Sequence, residues 1–248
     1  MISAFCINTA LKLLSVWIIS FGTGNLVFYK NVKVNYTRKI NHFALFFLPI
    51  FIDRMFPYRS SIGFITIGCI VGLLSLIIYI HPIRSRIHFI RIMFLSIDRP
   101  EDRPYTLKWL STQVAVGYLI IIPMLILFLN AGYTNLIFIP ILINGIGDGL
   151  AEPVGIRFGR LKYKTYALFT KRKYVRTIEG SACVFITSII AILVFQSYFN
   201  HAQFVCSLIT VPIGMTLAEA FSPHTWDTPF LFFSGYIMLY LIKNMPFS

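Results

Sequence analysis

Long apolar runs, separated by basic intervals, dominate the chain. Residues 61–80, 111–130 and 180–199 are the clearest, each near the roughly 20 residues a helix needs to cross a bilayer core. Residues 133–154 are apolar until Asn144, Asp148 and Glu152, and residues 204–221 until Glu219. Residues 3–29 form a further run with Lys12 near its start. Two weaker runs follow the same pattern: 41–56, cut short by Asp53 and Arg54, and 229–242, followed by Lys243. In lipid a chain must satisfy its own backbone hydrogen bonds, and no short alternating segments of the barrel type occur. The pattern predicts an all-α, polytopic transmembrane helical bundle of seven or eight spans, folded as one domain over residues 1–248.

Composition strengthens this reading. Apolar residues make up 57% of the chain and charged residues 12%, with a mean hydropathy of +0.75. A soluble domain is about one quarter charged, and disorder needs the opposite balance. The net charge of +13 would suggest nucleic acid in a soluble domain. In a membrane chain it reads as basic loops on the cytoplasmic side, and no nucleic-acid partner is expected.

The placement of charge predicts an orientation. With eight spans, the first loop holds Lys30, Lys33, Arg38 and Lys39. The third holds Arg84, Arg86, Arg91, Arg99, Arg103 and Lys108. The fifth holds Arg157, Arg160, Lys162, Lys164, Lys171, Arg172, Lys173 and Arg176. These are eighteen of the 22 basic residues. The positive-inside rule puts these loops in the cytoplasm and both termini outside. The first apolar run has no basic leader and no small-residue cleavage site, so it reads as a span.

Acids inside apolar runs are costly and point to function. Asn144, Asp148 and Glu152 are spaced to form one polar stripe on a helix, with Gly145 and Gly149 beside it as a small-residue stripe. Pro153 is expected to disturb that helix, and Gly155 and Gly159 to loosen the chain beyond it. Arg176, Thr177, Glu179, Gly180 and Ser181 then precede the next span. Glu219, Ser222 and Asp227 fall at the same predicted face. Arg38, Lys39 and His42 are spaced to share a helical face. Carboxylates can bind Mg²⁺ while leaving room for phosphates, glycines admit phosphate to backbone N–H groups, and Lys and Arg offset the charge of phosphoryl transfer. The combination reads as a nucleoside triphosphate site at a membrane face. There is no P-loop, no GxGxxG and no zinc-ligand spacing. Cys6, Cys69, Cys183 and Cys206 read as packing residues.

Four segments carry a resemblance. Gly147-Asp148-Gly149-Leu150-Ala151-Glu152-Pro153-Val154-Gly155-Ile156-Arg157-Phe158-Gly159 resembles the GDxxAxxxGxxxG motif of the dolichol kinase and phytol kinase family. Arg176-Thr177-Ile178-Glu179-Gly180-Ser181 resembles its [KR][ST]xEG[ST] motif. Arg38-Lys39 with His42 resembles RKxxH, and Glu219-Ala220-Phe221-Ser222 with Asp227 resembles the late EAxS…D motif. The segments follow the family's order. Thr228 stands where Asn often follows the late Asp, and Glu152 where a small residue is common.

The resemblance implies a membrane kinase that uses CTP to phosphorylate the hydroxyl of an isoprenoid lipid alcohol. ATP as donor stays open. A related branch phosphorylates diacylglycerol, and more distant kin are phosphatidate cytidylyltransferases. On this expectation Asp148 binds Mg²⁺, with Glu179 as a second ligand. Arg176 with Lys171, Arg172 and Lys173 holds the triphosphate, and Gly155 and Gly159 admit it. Glu152, Glu219 or His42 takes the alcohol's proton. A transporter using its intramembrane acids for coupling is the remaining class, and no internal repeat supports it.

Overall fold

The computed structural model describes residues 2–246, which form two compact units, Met1–Ala115 and Val116–Ser248. The eight apolar runs all fall on helical segments. Five of these are long and apolar enough to cross a membrane, as in a helical membrane protein: Ile2–Lys30, Ile62–Tyr79, Thr106–Asn130, Thr134–Phe158 and His201–Phe221. Ile178–Val194 is apolar but shorter. Among the described residues, five of the eight apolar runs thus fall on helices that meet both criteria.

In the first unit the helices are α1 (Ile2–Lys30), α2 (Val34–Met55), α3 (Ile62–Ser75), α4 (His81–Arg84) and α5 (His88–Leu95). Gly24 lets α1 lie against α5, because a Cβ there would collide with the Ile92 carbonyl. The charges that interrupt the apolar runs answer one another: Lys12 on α1 pairs with Asp53 on α2, which also accepts from Asn8 Nδ2 at 2.9 Å. Further along the same helix pair, Asn41 Oδ1 accepts from Ser20 Oγ at 2.6 Å, and Asn41 Nδ2 donates to Thr23 Oγ1 at 3.0 Å. A buried polar group costs little once it is hydrogen-bonded, so these side chains fasten α1 to α2.

Helix α6 (Thr106–Asn130) carries the chain into the second unit. There the run from Thr134 to Phe158 is not one uniform helix. It passes through α7 (Phe138–Leu142), a π-helical turn over Ile143–Asp148, and α8 (Gly149–Phe158). Pro153 does not end α8, which continues through it to Phe158. The following basic loop departs from the all-α expectation. It forms an antiparallel hairpin of β1 (Lys162–Ala167) and β2 (Thr170–Thr177), with Phe169 at φ 64° in its turn. The chain then runs through α9 (Ile178–Val194), α10 (His201–Phe221) and α11 (Asp227–Asn244).

Caps fix where these helices begin. Thr177 accepts from Gly180 N at 3.1 Å to start α9, and Asn200 with Gln203 forms a capping box for α10. Ile139, Ile143, Val184, Val211, Met215 and Tyr236 are fully buried in the core of this unit. Close helix approaches fall at Gly147 and Gly180. A Cβ at Gly147 would stand 3.0 Å from Val184 Cα, and one at Gly180 2.7 Å from the Ala151 carbonyl oxygen. Both obstacles are backbone, so neither can move aside cheaply.

Replacing Gly180 with Ala is therefore expected to force α8 and α9 apart and destabilise the protein by about 1–3 kcal/mol. The check is a thermal unfolding midpoint in detergent, which falls for Gly180→Ala and stays put for Gly117→Ala, where a Cβ meets nothing within 4 Å.

Candidate functional site

Within the second unit, α8 ends, α9 begins, α10 ends and α11 begins at one end of the packed helices, and the hairpin joins two of these ends. The hairpin is held there by backbone and side chains together. Thr165 Oγ1 donates to the Ser222 carbonyl at 3.0 Å, and His224 N donates to the Tyr166 carbonyl at 2.7 Å. The Tyr174 ring stacks on His224 with centroids 3.6 Å apart and planes 8° from parallel.

Strand alternation decides which basic residues face inward. Tyr163 pairs across the hairpin with Arg176, and Thr165 with Tyr174. Arg176 is largely buried. Its Nη1 donates to Glu219 Oε1 at 3.1 Å and to Ser222 Oγ at 3.1 Å, and its Nη2 lies 3.9 Å from Asp227 Oδ2. Glu219 is 4% exposed and Asp148 3%. Asp148 acts electrostatically on both Arg176 and Glu219. Burial works against the Arg176 charge, but Glu219 first, and then Asp227, Tyr163 and Asp148, outweigh it and hold the guanidinium above its ordinary pKa. Its positive charge is thus kept throughout the neutral range.

The second oxygen of Glu219 is engaged as well. Ser181 Oγ donates to Glu219 Oε2 at 2.7 Å, and Ser181 is in turn 2.7 Å from the Tyr163 hydroxyl. Tyr163 is half-exposed. Burial, and next the charge of Glu219, push its phenol above the ordinary value, so it carries its proton at neutral pH.

The other expected residues fall as follows. Asn144 is fully buried and donates to the Thr228 carbonyl at 3.2 Å. Glu152 is half-buried on α8. Glu179 Oε1 accepts from the Arg160 and Leu161 amides at 2.8 and 3.2 Å, which ties the chain after α8 to the start of α9. Gly155 and Gly159 give close packing: the space a Cβ would need at either is taken by Thr177, 2.6 Å away at Gly155 and 2.5 Å at Gly159. Lys171, Arg172 and Lys173 are exposed. Lys173 falls on the strand face opposite Arg176, and Lys171 lies in the irregular stretch between Lys173 and Thr170. Arg38, Lys39 and His42 lie together on α2 in the first unit, with Lys39 buried and His42 tilted against Phe46 at 4.7 Å. Among the described residues no group of three or more His, Cys, Asp or Glu is placed to hold a metal ion.

Tyr163 was not among the residues expected from the sequence. The alternation Lys162-Tyr163-Lys164-Thr165-Tyr166 carries the two-residue period of a strand, and that signal was available. No family model, no curated protein and no solved structure matches the chain.

Removing Arg176 would take away the positive charge that Glu219 and Asp227 both face and leave them buried with hydrogen bonds alone. Arg176→Met is expected to destabilise the protein by about 3–5 kcal/mol. Denaturant unfolding in mild detergent checks this. A variant as stable as the wild type would show that the cluster contributes nothing to the fold.

Proposed function

We propose that this protein is a lipid-alcohol kinase that transfers the γ-phosphoryl group of a nucleoside triphosphate, CTP by preference, to the hydroxyl of an isoprenoid alcohol at the membrane face. The observation that carries the reading is convergence. Segments 147–159, 176–181 and 219–227 are separate in the chain; Arg176, Ser181, Glu219 and Asp227 form one cluster of ion pairs and hydrogen bonds, and Asp148 lies within electrostatic range of Arg176 and Glu219. Those are three of the four segments through which the chain resembles the dolichol and phytol kinases; the fourth, Arg38 to His42, lies in the first unit. The π-helical turn that ends at Asp148 supports it too, because such turns recur at functional positions.

Phosphoryl transfer asks mainly for positioning and for stabilisation of charge. The proposed division of labour is simple. Arg176, held by its carboxylates, provides a fixed positive charge beside the triphosphate. Asp148 would hold a Mg²⁺ that arrives with the nucleotide. Such an ion is bound by one or two carboxylates, the phosphates and water, so it needs no all-protein cage. Mg²⁺ would supply charge neutralisation on the phosphates. Apolar helix surfaces would hold the prenyl tail. The basic loops would face the cytoplasm by the positive-inside rule. Nothing in the proposal rests on Arg38, Lys39 or His42.

The experiment supplies γ-labelled CTP or ATP with Mg²⁺ to purified protein and offers farnesol, phytol, a long polyprenol or diacylglycerol. Label is expected on a prenol, with CTP the better donor. Asp148→Asn should reduce transfer by about 100-fold or more while the protein still inserts into membranes. Label on diacylglycerol alone would move the substrate class. If no lipid is labelled, and phosphatidate with CTP releases pyrophosphate instead, the kinase reading is wrong.

A further inference from the structure

Glu219 is the acid best placed to end with the alcohol's proton, yet it is buried and both its oxygens are engaged. An alcohol at the membrane face has no direct route to it. Tyr163, a partly exposed residue on β1, stands at the outer end of a hydrogen-bonded chain that reaches it. We propose that Tyr163 is a catalytic residue, the entry to a proton relay that runs from the acceptor alcohol through Tyr163 and Ser181 to Glu219.

The inference rests on the kinase reading for its substrate, and on the geometry for its path. The two links are each 2.7 Å, short for hydroxyl hydrogen bonds. Ser181 Oγ also lies 3.3 Å from the Thr177 carbonyl. A hydroxyl has one proton to give, and the carboxylate at 2.7 Å is the stronger acceptor. Ser181 therefore donates to Glu219 and accepts from Tyr163. All the donors point one way, from Tyr163 toward Glu219.

The step balances. The alcohol's O–H bond breaks as its oxygen forms the new bond to the γ-phosphorus, and the bond from that phosphorus to the bridging oxygen breaks, its electron pair leaving on the nucleoside diphosphate. The alcohol's proton passes to the Tyr163 oxygen, the phenol's own proton to Ser181, and the Ser181 proton to Glu219 Oε2. Tyr163 and Ser181 end as they began, and Glu219 ends protonated. A phenol with a raised pKa suits this role, because it never has to stay ionised. Arg176 on the other oxygen keeps Glu219 ready to receive.

Tyr163→Phe, Ser181→Ala and the double variant test the relay by kcat and KM. Each single change is expected to lower kcat about 100-fold or more with KM unchanged. The double variant should be no slower than the slower single, because one broken link already opens the chain. Wild-type kcat in Tyr163→Phe would overturn the relay, as would losses that simply multiply in the double variant. A second readout does not depend on turnover. In acidic buffer the infrared carbonyl band of protonated Glu219, identified by its loss in Glu219→Gln, should exchange with deuterium quickly in the wild type and more slowly in Tyr163→Phe. Equal exchange rates would overturn the relay even if no lipid were ever labelled. Slowed exchange in a protein that labels no lipid would keep the relay and discard the kinase.

Discussion

The buried guanidinium of Arg176 is the constraint on which the second unit depends. A charge removed from water is tolerated only when paired and hydrogen-bonded. Arg176 meets that condition with Glu219 and Ser222 from the end of α10 and Asp227 from the start of α11. It sits on β2, two residues before α9, so satisfying it fixes three helix ends and one strand together. The hairpin is then pressed against the Ser222–His224 backbone, and Thr177 lands where it both caps α9 and fills the space beside Gly155 and Gly159.

Glycine and charge divide the work between them. Gly147 and Gly180 bring the α7–α8 segment within backbone contact of α9. That approach puts Asp148 within electrostatic range of Arg176 and Glu219. The first unit uses the same logic on a smaller scale. Gly24 sets the distance between α1 and α5, and Lys12 with Asp53, and Ser20 with Asn41, set how α1 and α2 lie together. Polar residues inside apolar helices act as fasteners in both cases.

Much of this was legible in the sequence, and the exceptions have physical causes. All eight apolar runs of helical length fall on helical segments, because hydrophobicity over some twenty residues is a strong signal, while the short α4 and α5 lie outside those runs. The identity of Asp148, Arg176, Ser181 and Glu219 as candidates came from polar residues standing at the edges of apolar runs. The hairpin was missed because Lys162 to Thr177 reads first as a basic loop, and its strand period shows only when Tyr163, Thr165 and Ala167 are taken as one inward face. Gly155 and Gly159 were expected to admit phosphate, and spacing alone does not say what fills the room a glycine leaves. Here Thr177 fills it, eighteen residues on from Gly159. Lys171 and Lys173 were grouped with Arg176 by proximity in the chain, whereas strand alternation places Lys173 on the other face and Lys171 falls in the irregular stretch of the hairpin.

The central claim is that Arg176 and Glu219 act as one unit joining the hairpin to α10. A double-mutant cycle on unfolding free energy tests it most directly, with Arg176→Met, Glu219→Gln and the pair. The account predicts a coupling of roughly 1–3 kcal/mol, with the double variant more stable than Arg176→Met alone, because neutralising Glu219 removes the buried charge left behind. Additive effects of the two changes would mean that the residues do not depend on each other, and would contradict the account.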